Sequence, residues 1–421
     1  MALGSILCSG WLSVLFAVCL VISQGQLVLS FSSNRNDNLA VYWGQDGANR
    51  QQNLGFYCED DTIDAIPLAF LYIFFGKGGQ PVIDFANICS SGGGNFPGTD
   101  LADCSFMAGD IQKCQAKGKI LTISLGGADA KVGFDSDGQA ADFAHTIWNM
   151  FLGGKGPMRP FGDAVLDGVD LDIENGSSAH YNTFVNTIRS LAQNSRKRYY
   201  VTAAPQCPFP DAELGTALNT AFFDAVYVQF YNNFCETSVP NEFNMGTWDH
   251  WAKTQSANKN IRVYLGAPGS PAAAGDGYVS SDRLVDVVRD AQSKYSSFGG
   301  VMLWDADSAQ NNGRFHVAVK DGISNRSGGG PPDTHNPAPS PDPATTARPG
   351  PGNPAHTTTE QGPHRPIPTT PTDPAPTSVS PTPSALSDPR KGGRVRPQKR
   401  QDLDASLALA SRRQNSRLFR F

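Results

Sequence analysis

The sequence predicts an α/β protein, a (β/α)8 barrel of the TIM type followed by a disordered extension rich in Pro, Ser and Thr. Three observations support this fold class. Within residues 38–324, eight short apolar runs have the length of buried strands, helix-like patterns separate several of them, and polar or aromatic residues follow many of the runs. This segment is long enough to bury one large core.

Strand and helix patterns alternate along the segment. Helix-like periodicity occurs at 142–154, 181–195 and 281–295, and the last of these opens on Ser281 and Asp282, which are typical N-cap residues. A doubly wound open sheet is the alternative, but SLGGADA lacks the G-x-G-x-x-G spacing that this fold would favour. The predicted strands are LAVYWG (39), IPLAFLYIF (66), KILTISLGG (119), GVDLDIE (168), YYVTAAP (199), AVYVQFYN (225), IRVYLGAP (261) and GGVMLWD (299).

Carboxylates are concentrated in the fourth strand. Asp170, Asp172 and Glu174 alternate with apolar residues at 169, 171 and 173, so the three acids share one face. Neighbouring acids on that face lie roughly 6 to 7 Å apart, and their repulsion raises at least one pKa. A stable fold does not require such a row of acids, so it indicates a functional site.

Polar and aromatic residues also follow the other predicted strands. In a barrel, the C-terminal ends of all strands meet at one mouth, where active sites lie. Next to three carboxylates, a tryptophan at this mouth is suited to support a sugar ring. The residues concerned are Gln45, Gly126, Gly127, Glu174, Gln206, Tyr231, Asn232, Trp304 and Asp305.

The chain has a small net negative charge, and its charged residues are unevenly distributed. The chain has 34 Lys and Arg against 39 Asp and Glu, which gives no reason to expect nucleic acid as a partner of the main domain. From residue 386 to 421, however, ten Lys and Arg accompany three Asp, a net charge of +7. The tail and the main domain therefore differ in chemistry.

The N-terminus resembles a secretory signal. An apolar run extends from Trp11 to Ile22, no Lys or Arg precedes Arg35, and small residues at Ser23 and Gly25 offer a cleavage site. The run is too short for a membrane span. We predict a signal peptide at 1–25 and a secreted protein without a membrane span, and a buried N-terminal helix is the alternative.

Cysteine usage agrees with secretion. Without the signal peptide six cysteines remain, and none forms a C-x-x-C pair, so three disulfides are favoured over a metal site. Counting alone allows fifteen pairings. The six are Cys58, Cys89, Cys104, Cys114, Cys207 and Cys235.

The C-terminal part of the sequence divides into two segments of different composition. Residues 325–389 are rich in Pro, Thr and Ser, and predict a disordered linker with the character of an O-glycosylated stalk. Residues 390–421 form a basic tail, which is either a solvated tail, a segment that adheres to cell-wall polymers, or a processing site at Lys399-Arg400. The sequon at Asn325 predicts a glycan, whereas the sequon at Asn175 adjoins Glu174 and is expected to stay unmodified.

The strand DGVDLDIE resembles the D-x-x-D-x-D-x-E signature of glycoside hydrolase family 18. Together with VYWGQDG, SLGG, VTAAPQCPFPD, VQFYNN and GGVMLW, in this order, it makes residues 38–320 similar to the class III (hevamine-type) chitinases, with a fungal-like extension. The resemblance implies that Glu174 is the acid/base, that Asp172, Asp170 and Tyr231 assist it, and that Trp304 forms the floor of the site.

The resemblance also implies further features of the site. The disulfides should pair Cys58 with Cys114, Cys89 with Cys104, and Cys207 with Cys235, and cis peptide bonds are expected at Ala69-Phe70 and Trp304-Asp305. Substrate contacts are implied for Tyr42, Gln45, Phe70, Gly126, Gly127, Gln229, Asn232, Met302 and Trp304.

The implied activity is that of a secreted, monomeric endochitinase. It would cleave β-1,4-N-acetylglucosamine linkages in chitin or chitooligosaccharides without a cofactor or metal, by a retaining mechanism in which the substrate assists. Three alternatives remain open: an endo-β-N-acetylglucosaminidase acting on N-glycans, a chitin-binding lectin without activity, and a calcium site formed by the three acids.

Overall fold

The computed structural model describes residues 31–324. The predicted signal peptide, the linker, the basic tail and the Asn325 sequon lie outside the described residues.

A closed parallel barrel forms the centre of the structure. Eight strands follow one another in the order β1-β9-β8-β7-β6-β5-β4-β2, and the pairing of β1 with β2 closes the ring. A short strand, β3, pairs antiparallel with β2 outside the ring. The predicted (β/α)8 barrel is confirmed, since each of the eight apolar runs overlaps one ring strand. The strands are β1 (Asn38–Val41), β2 (Ala65–Ile73), β3 (Val82–Ile83), β4 (Ile120–Gly126), β5 (Gly168–Asp172), β6 (Tyr200–Ala203), β7 (Ala225–Gln229), β8 (Arg262–Pro268) and β9 (Phe298–Trp304).

Helices follow most of the ring strands. Within residues 31–324, no helix is long and apolar enough to cross a membrane. The α-helices are α1 (Leu54–Cys58), α2 (Ala108–Ala116), α3 (Asp137–Phe151), α4 (Tyr181–Ala192), α5 (Gly215–Thr220), α6 (Met245–Thr254), α7 (Ser281–Lys294), α8 (Ala306–Asn311) and α9 (Phe315–Ile323), and 3₁₀ turns lie at Lys77–Gly79 and Ser105–Met107.

The three predicted helices are present, but their ends differ from the prediction. Helix α3 begins at Asp137 rather than 142, because the Ser136 side chain caps it by accepting a hydrogen bond from the Gln139 amide. Helix α7 is capped by Ser280 instead of Ser281 or Asp282. Periodic apolar residues reveal where a helix packs, whereas a cap one turn earlier carries no apolar signal.

The two faces of each barrel strand bury different kinds of side chain. On β5, Val169 and Leu171 point away from the barrel axis into an apolar layer shared with the surrounding helices. Asp170 and Asp172 point inward, where the neighbouring buried residues are tyrosines, alanines and hydroxyl side chains. The outer layer supplies the apolar burial that stabilises the fold, at about 25 cal/mol per Å². The inner face is therefore free to hold polar groups.

Three disulfides brace the loops around the barrel. Cys58–Cys114, Cys89–Cys104 and Cys207–Cys235 are paired as the resemblance implies. The first joins α1 to α2, and the second closes a loop between β3 and α2. The third joins the loops after β6 and β7, next to the barrel mouth.

We expect the three disulfides to contribute unequally to stability. Removing Cys58–Cys114 with paired alanine substitutions should lower the free energy of unfolding by about 4 kcal/mol, and removing Cys89–Cys104 by about 3 kcal/mol. The difference arises because the first bridge closes 56 residues and the second only 15. Urea unfolding followed by tryptophan fluorescence measures both. A larger loss for the short loop would contradict the chain-entropy explanation.

Candidate active site

A cleft of about 410 Å³ opens at the C-terminal ends of the barrel strands. Most of the predicted site residues line it, whereas Asp170, Tyr42 and Met302 are buried beneath it. The lining residues are Gln45, Phe70, Tyr72, Asp84, Gly126, Gly127, Ala128, Asp129, Ala130, Asp172, Glu174, Gln229, Tyr231, Asn232, Ala273 and Trp304.

Asp170 anchors the base of the site. Its carboxylate accepts hydrogen bonds from the hydroxyls of Tyr42 at 2.7 Å, Ser124 at 2.7 Å and Thr202 at 2.6 Å. Burial raises the pKa of Asp170, although the three hydroxyl donors oppose this shift. The carboxylate is thus fixed in one orientation.

Asp172 and Glu174 form a coupled pair above Asp170. Burial raises the pKa of both, and the two side chains are hydrogen-bonded to each other. The charges of Glu174 and Asp170 raise the pKa of Asp172 further. The Gln229 amide donates to Asp172 at 2.8 Å and more weakly to Glu174 at 3.5 Å. The pair therefore retains a proton at a pH where an ordinary carboxyl group has lost it.

Glu174 lies just past β5, which ends at Asp172. This position brings its carboxyl group into the cleft, while Asp172 stays at the strand end. The hydrogen bonds with Gln229 and Asp172 lower the Glu174 pKa, whereas the charges of Asp211, on the loop after β6, and of Asp129 raise it, and the net shift is upward. Glu174 therefore places a carboxyl group with a raised pKa in the cleft, where it can draw on the proton that it shares with Asp172, as a general acid requires.

Tyr231 follows β7 on the far side of the acid pair. Burial, followed by the charges of Asp172 and Glu174, raises its pKa well above the ordinary value, so the phenol remains a hydrogen-bond donor. Its backbone packs against Gly277, where a Cβ would lie 2.7 Å from the Tyr231 Cα. Only glycine permits this approach.

Two glycines at the end of β4 bring the backbone against the acids. Gly126 has a φ of 121°, and a Cβ there would lie 1.9 Å from the Asp172 carbonyl oxygen. The amide of Gly127 donates to the same carbonyl at 2.7 Å. The loop that continues through Ala128 to Ala130 therefore passes directly along the cleft.

Aromatic rings form one wall of the site. Trp304 stacks on Phe70 with ring centroids 5.7 Å apart and an angle of 20° between the planes. Tyr42 lies 5.7 Å from the Trp304 ring and supports it from below. The peptide bonds Ala69-Phe70 and Trp304-Asp305 are both cis, as the resemblance implies. A flat apolar surface beside carboxyl groups suits the face of a pyranose ring.

Several cleft residues were not predicted. Ala128, Asp129 and Ala130 directly follow the SLGG strand end, so the rule that barrel strands end at the site could have found them. Tyr72 and Asp84 belong to the β2–β3 hairpin, where β3 has two residues and gives no periodic signal. The remaining unpredicted residue is Ala273, on the loop after β8.

No metal cluster is evident in the described part of the chain. Within residues 31–324, no group of three or more His, Cys, Asp or Glu side chains could hold a metal ion. Asp170 and Asp172 instead accept hydrogen bonds from hydroxyl and amide donors.

Comparison with known proteins identifies the family. The family described as "Glycosyl hydrolases family 18" matches residues 38–273. Chitinase 2 of Rhizopus oligosporus is 51% identical over 287 residues, covering 68% of this chain and 52% of that protein. The endochitinase of Saccharomyces cerevisiae is 44% identical over 284 residues, covering 67% and 49%. This chain thus spans about half the length of these two relatives.

Solved structures agree with this result. A chitinase from Ipomoea carnea has a TM-score of 0.59 and 34% identity, and the match covers 68% of this chain and all of that one. A xylanase and alpha-amylase inhibitor protein from Scadoxus multiflorus has a TM-score of 0.58 and 32% identity, covering 67% and 97%. Because the family match covers more than half of the sequence, the chain belongs to glycosyl hydrolase family 18.

Proposed function

We propose that the protein is an endochitinase that hydrolyses β-1,4-N-acetylglucosamine linkages in chitin with retention of configuration. The observation that carries this proposal is the row of Asp170, Asp172 and Glu174, which ends in a cleft walled by Trp304. The curated relatives that bear the name chitinase support the choice of substrate.

Glu174 is proposed as the acid in the first step. It donates its proton to the glycosidic oxygen, so that the leaving sugar departs as a neutral alcohol. Asp172 supports this role because ionising both members of the pair places two charges in a buried site. The proton lost from Glu174 is returned later by water.

The substrate supplies the nucleophile in this mechanism. The 2-acetamido oxygen attacks the anomeric carbon as the glycosidic bond breaks, giving an oxazolinium intermediate. Asp172 then accepts a hydrogen bond from the acetamido N–H, and the Tyr231 hydroxyl donates to the acetamido oxygen. Water next attacks the anomeric carbon and gives its proton to Glu174, which restores the enzyme and yields a β product.

The aromatic wall positions the sugar for this attack. Trp304 supports the ring of the unit that is cleaved, and Phe70 and Tyr42 hold the indole in place. Gln45, Gly126, Gly127, Gln229 and Asn232 are proposed to bind the neighbouring sugar atoms, while Met302 acts from below as a packing residue.

A binding function is the second candidate. The inhibitor protein from Scadoxus multiflorus is about as similar to this chain as the Ipomoea carnea chitinase is. The fold alone therefore does not separate catalysis from binding. The raised pKa of Glu174 and its place in the cleft favour catalysis.

The same residues could also cleave N-glycans. An assay on two substrates distinguishes that activity from chitin hydrolysis. We expect reducing ends to be released from colloidal chitin but not from a high-mannose glycoprotein. Release from the glycoprotein alone would assign the second activity.

We also propose that the protein is secreted, with a signal peptide at 1–25, a catalytic domain at 38–324, a linker at 325–389 and a basic tail at 390–421. The three disulfides support passage through an oxidising compartment.

Glu174→Gln should lower turnover of chitooligosaccharides by at least about 10²-fold, because it removes the transferable proton. Binding of the oligosaccharide should persist, since glutamine keeps the shape of the side chain. Steady-state kinetics and calorimetric titration measure the two effects. Glu242→Gln, at an exposed position on the loop after β7, is the matched control and should retain activity. A variant at position 174 with full turnover would remove Glu174 from the mechanism.

NMR of the first-formed product tests the stereochemistry. The wild-type protein should release the β anomer before mutarotation, because attack by the acetamido group followed by attack by water inverts the carbon twice. An initial α anomer would require direct attack by water and a separate base, which would exclude the substrate-assisted mechanism.

Asp172→Asn should lower turnover and move the alkaline limb of the pH profile of kcat/KM to lower pH. In the wild type, losing the last proton leaves two charges on the buried pair, whereas in the variant it leaves one. Glu174 therefore gives up its proton at lower pH in the variant. An unmoved alkaline limb would mean that Asp172 does not help Glu174 to retain its proton.

A further inference from the structure

The cleft carries more negative charge than the proposed reaction uses. Four carboxyl groups line it, those of Asp84, Asp129, Asp172 and Glu174, and among the described residues no Lys, Arg or His does so. Asp172 and Glu174 perform the chemistry. A neutral polymer of N-acetylglucosamine offers no charge to Asp84 or Asp129, so these two acids need another explanation.

Asp84 is held rigidly at the edge of the cleft. Its backbone carbonyl accepts a hydrogen bond from the Gln45 amide at 3.1 Å, and its carboxylate accepts one from the Ala86 amide at 2.8 Å. The amide of Asp84 donates to the Phe70 carbonyl at 2.9 Å. The side chain therefore projects from a fixed backbone, as a recognition residue should.

The negative charge of the Asp84 carboxylate is stabilised by few neighbouring groups. Among the described residues, the Ala86 amide is the one hydrogen-bond donor to this carboxylate, and no Lys, Arg or His lines the cleft beside it. Burial raises the pKa of Asp84, and burial followed by the charge of Asp84 raises the pKa of Tyr72, which lines the same cleft. A cation placed between Tyr72 and Asp84 would stabilise the charge.

The topology places Asp84 away from the bond that is cleaved. Strand β2, which leads into the β2–β3 hairpin, and strand β7 are four strands apart in a ring of eight, so they face each other across the mouth. Asn232 and Ala273 line the cleft on the β7 and β8 side. Glu174 and Trp304 lie between the two sides. A chain that spans the cleft therefore presents a different sugar unit to Asp84 than to Glu174.

The two units have different chemical requirements. The unit at Glu174 must carry an acetamido group, because that group is the nucleophile. The unit at Asp84 takes no part in the reaction, so it can carry a free amine, which is an ammonium group near neutral pH. Hydrogen bonds between an ammonium group and a carboxylate are about twice as strong as those between neutral groups.

We propose that Asp84 and Tyr72 form a subsite for a protonated glucosamine unit, and that partially deacetylated chitin is the preferred polymer. This inference rests on the proposed function and specifies its substrate. Asp129 adds to the negative field of the cleft and favours the approach of a cationic chain.

The experiment compares two polymers of equal length on the full-length protein, one fully acetylated and one partially deacetylated. The ratio of kcat/KM for the second polymer to that for the first should fall about fivefold or more in Asp84→Asn, because the ion pair is lost. Asparagine can still accept the Ala86 hydrogen bond. In the wild type the ratio should also decline as sodium chloride is added, since salt screens the attraction.

Asp61→Asn is the matched control. It changes the net charge by the same amount, but Asp61 is exposed and precedes β2 at the opposite end of the barrel. The ratio should not change in this variant. Sequencing of end-labelled products should place glucosamine at one fixed distance from the cleaved bond in the wild type, and this preference should disappear in Asp84→Asn.

The outcomes separate the subsite from the proposed function. An unchanged ratio in Asp84→Asn, or a random distribution of glucosamine in wild-type products, would overturn the subsite. Failure of the wild type to cleave either polymer would overturn the proposed hydrolysis instead. In that case calorimetric binding of a glucosamine hexamer, compared with its acetylated form, still tests the subsite. The salt and sequencing measurements need no variant, so a misfolded Asp84→Asn protein would not prevent the test.

Discussion

The hydrogen bonds to the buried Asp170 carboxylate are the constraint on which the site depends. Hydroxyl donors reach it from Tyr42 next to β1, Ser124 on β4 and Thr202 on β6. Each donor has to point toward the barrel axis, which fixes the register of its strand relative to β5. A one-residue slip would turn a donor outward and leave a buried charge unsatisfied. The interaction that orients the acids thus also specifies the alignment of the barrel.

This arrangement separates function from stability on the two faces of one strand. Asp170, Asp172 and Glu174 all have pKa values raised by burial, so the folded protein resists their ionisation. The resulting loss in the free energy of unfolding is absent below the unfolded-state pKa of about 4. It grows as pH rises above that value, because the unfolded chain ionises freely. Val169 and Leu171, on the opposite face, pack into the apolar layer that offsets this cost.

The sequence predicted the parts of this structure that follow a repeating rule. Alternation along DGVDLDIE predicted which side chains of β5 share a face, and the shared direction of parallel strands predicted that Gly127, Tyr231 and Trp304 would meet at one mouth. It did not predict how deep each residue lies. Tyr42 was expected to contact substrate, but its hydroxyl is engaged by Asp170 beneath the cleft.

What the sequence missed depends on irregular local structure. Asp84 reaches the cleft through a hairpin whose second strand, Val82–Ile83, is too short to show alternation. The start of α3 depends on a single hydrogen bond to Ser136. The pairing of six cysteines could not be obtained by counting, and only the resemblance to a family chose one of fifteen arrangements. Such features are set by tertiary contacts, which a single sequence does not display.

The placement of the acids on and just after β5 also supports the proposal that the nucleophile comes from the substrate. Retaining enzymes with two catalytic carboxylates hold them about 5 to 5.5 Å apart on opposite sides of the bond. Here Asp172 and Glu174 are hydrogen-bonded neighbours on the same side, so Asp172 is poorly placed to attack the face opposite the leaving group. An acetamido oxygen carried by the sugar can reach that face. In the proposed mechanism the substrate supplies the nucleophile, so acids elsewhere in the cleft, such as Asp84, are free to take part in recognition.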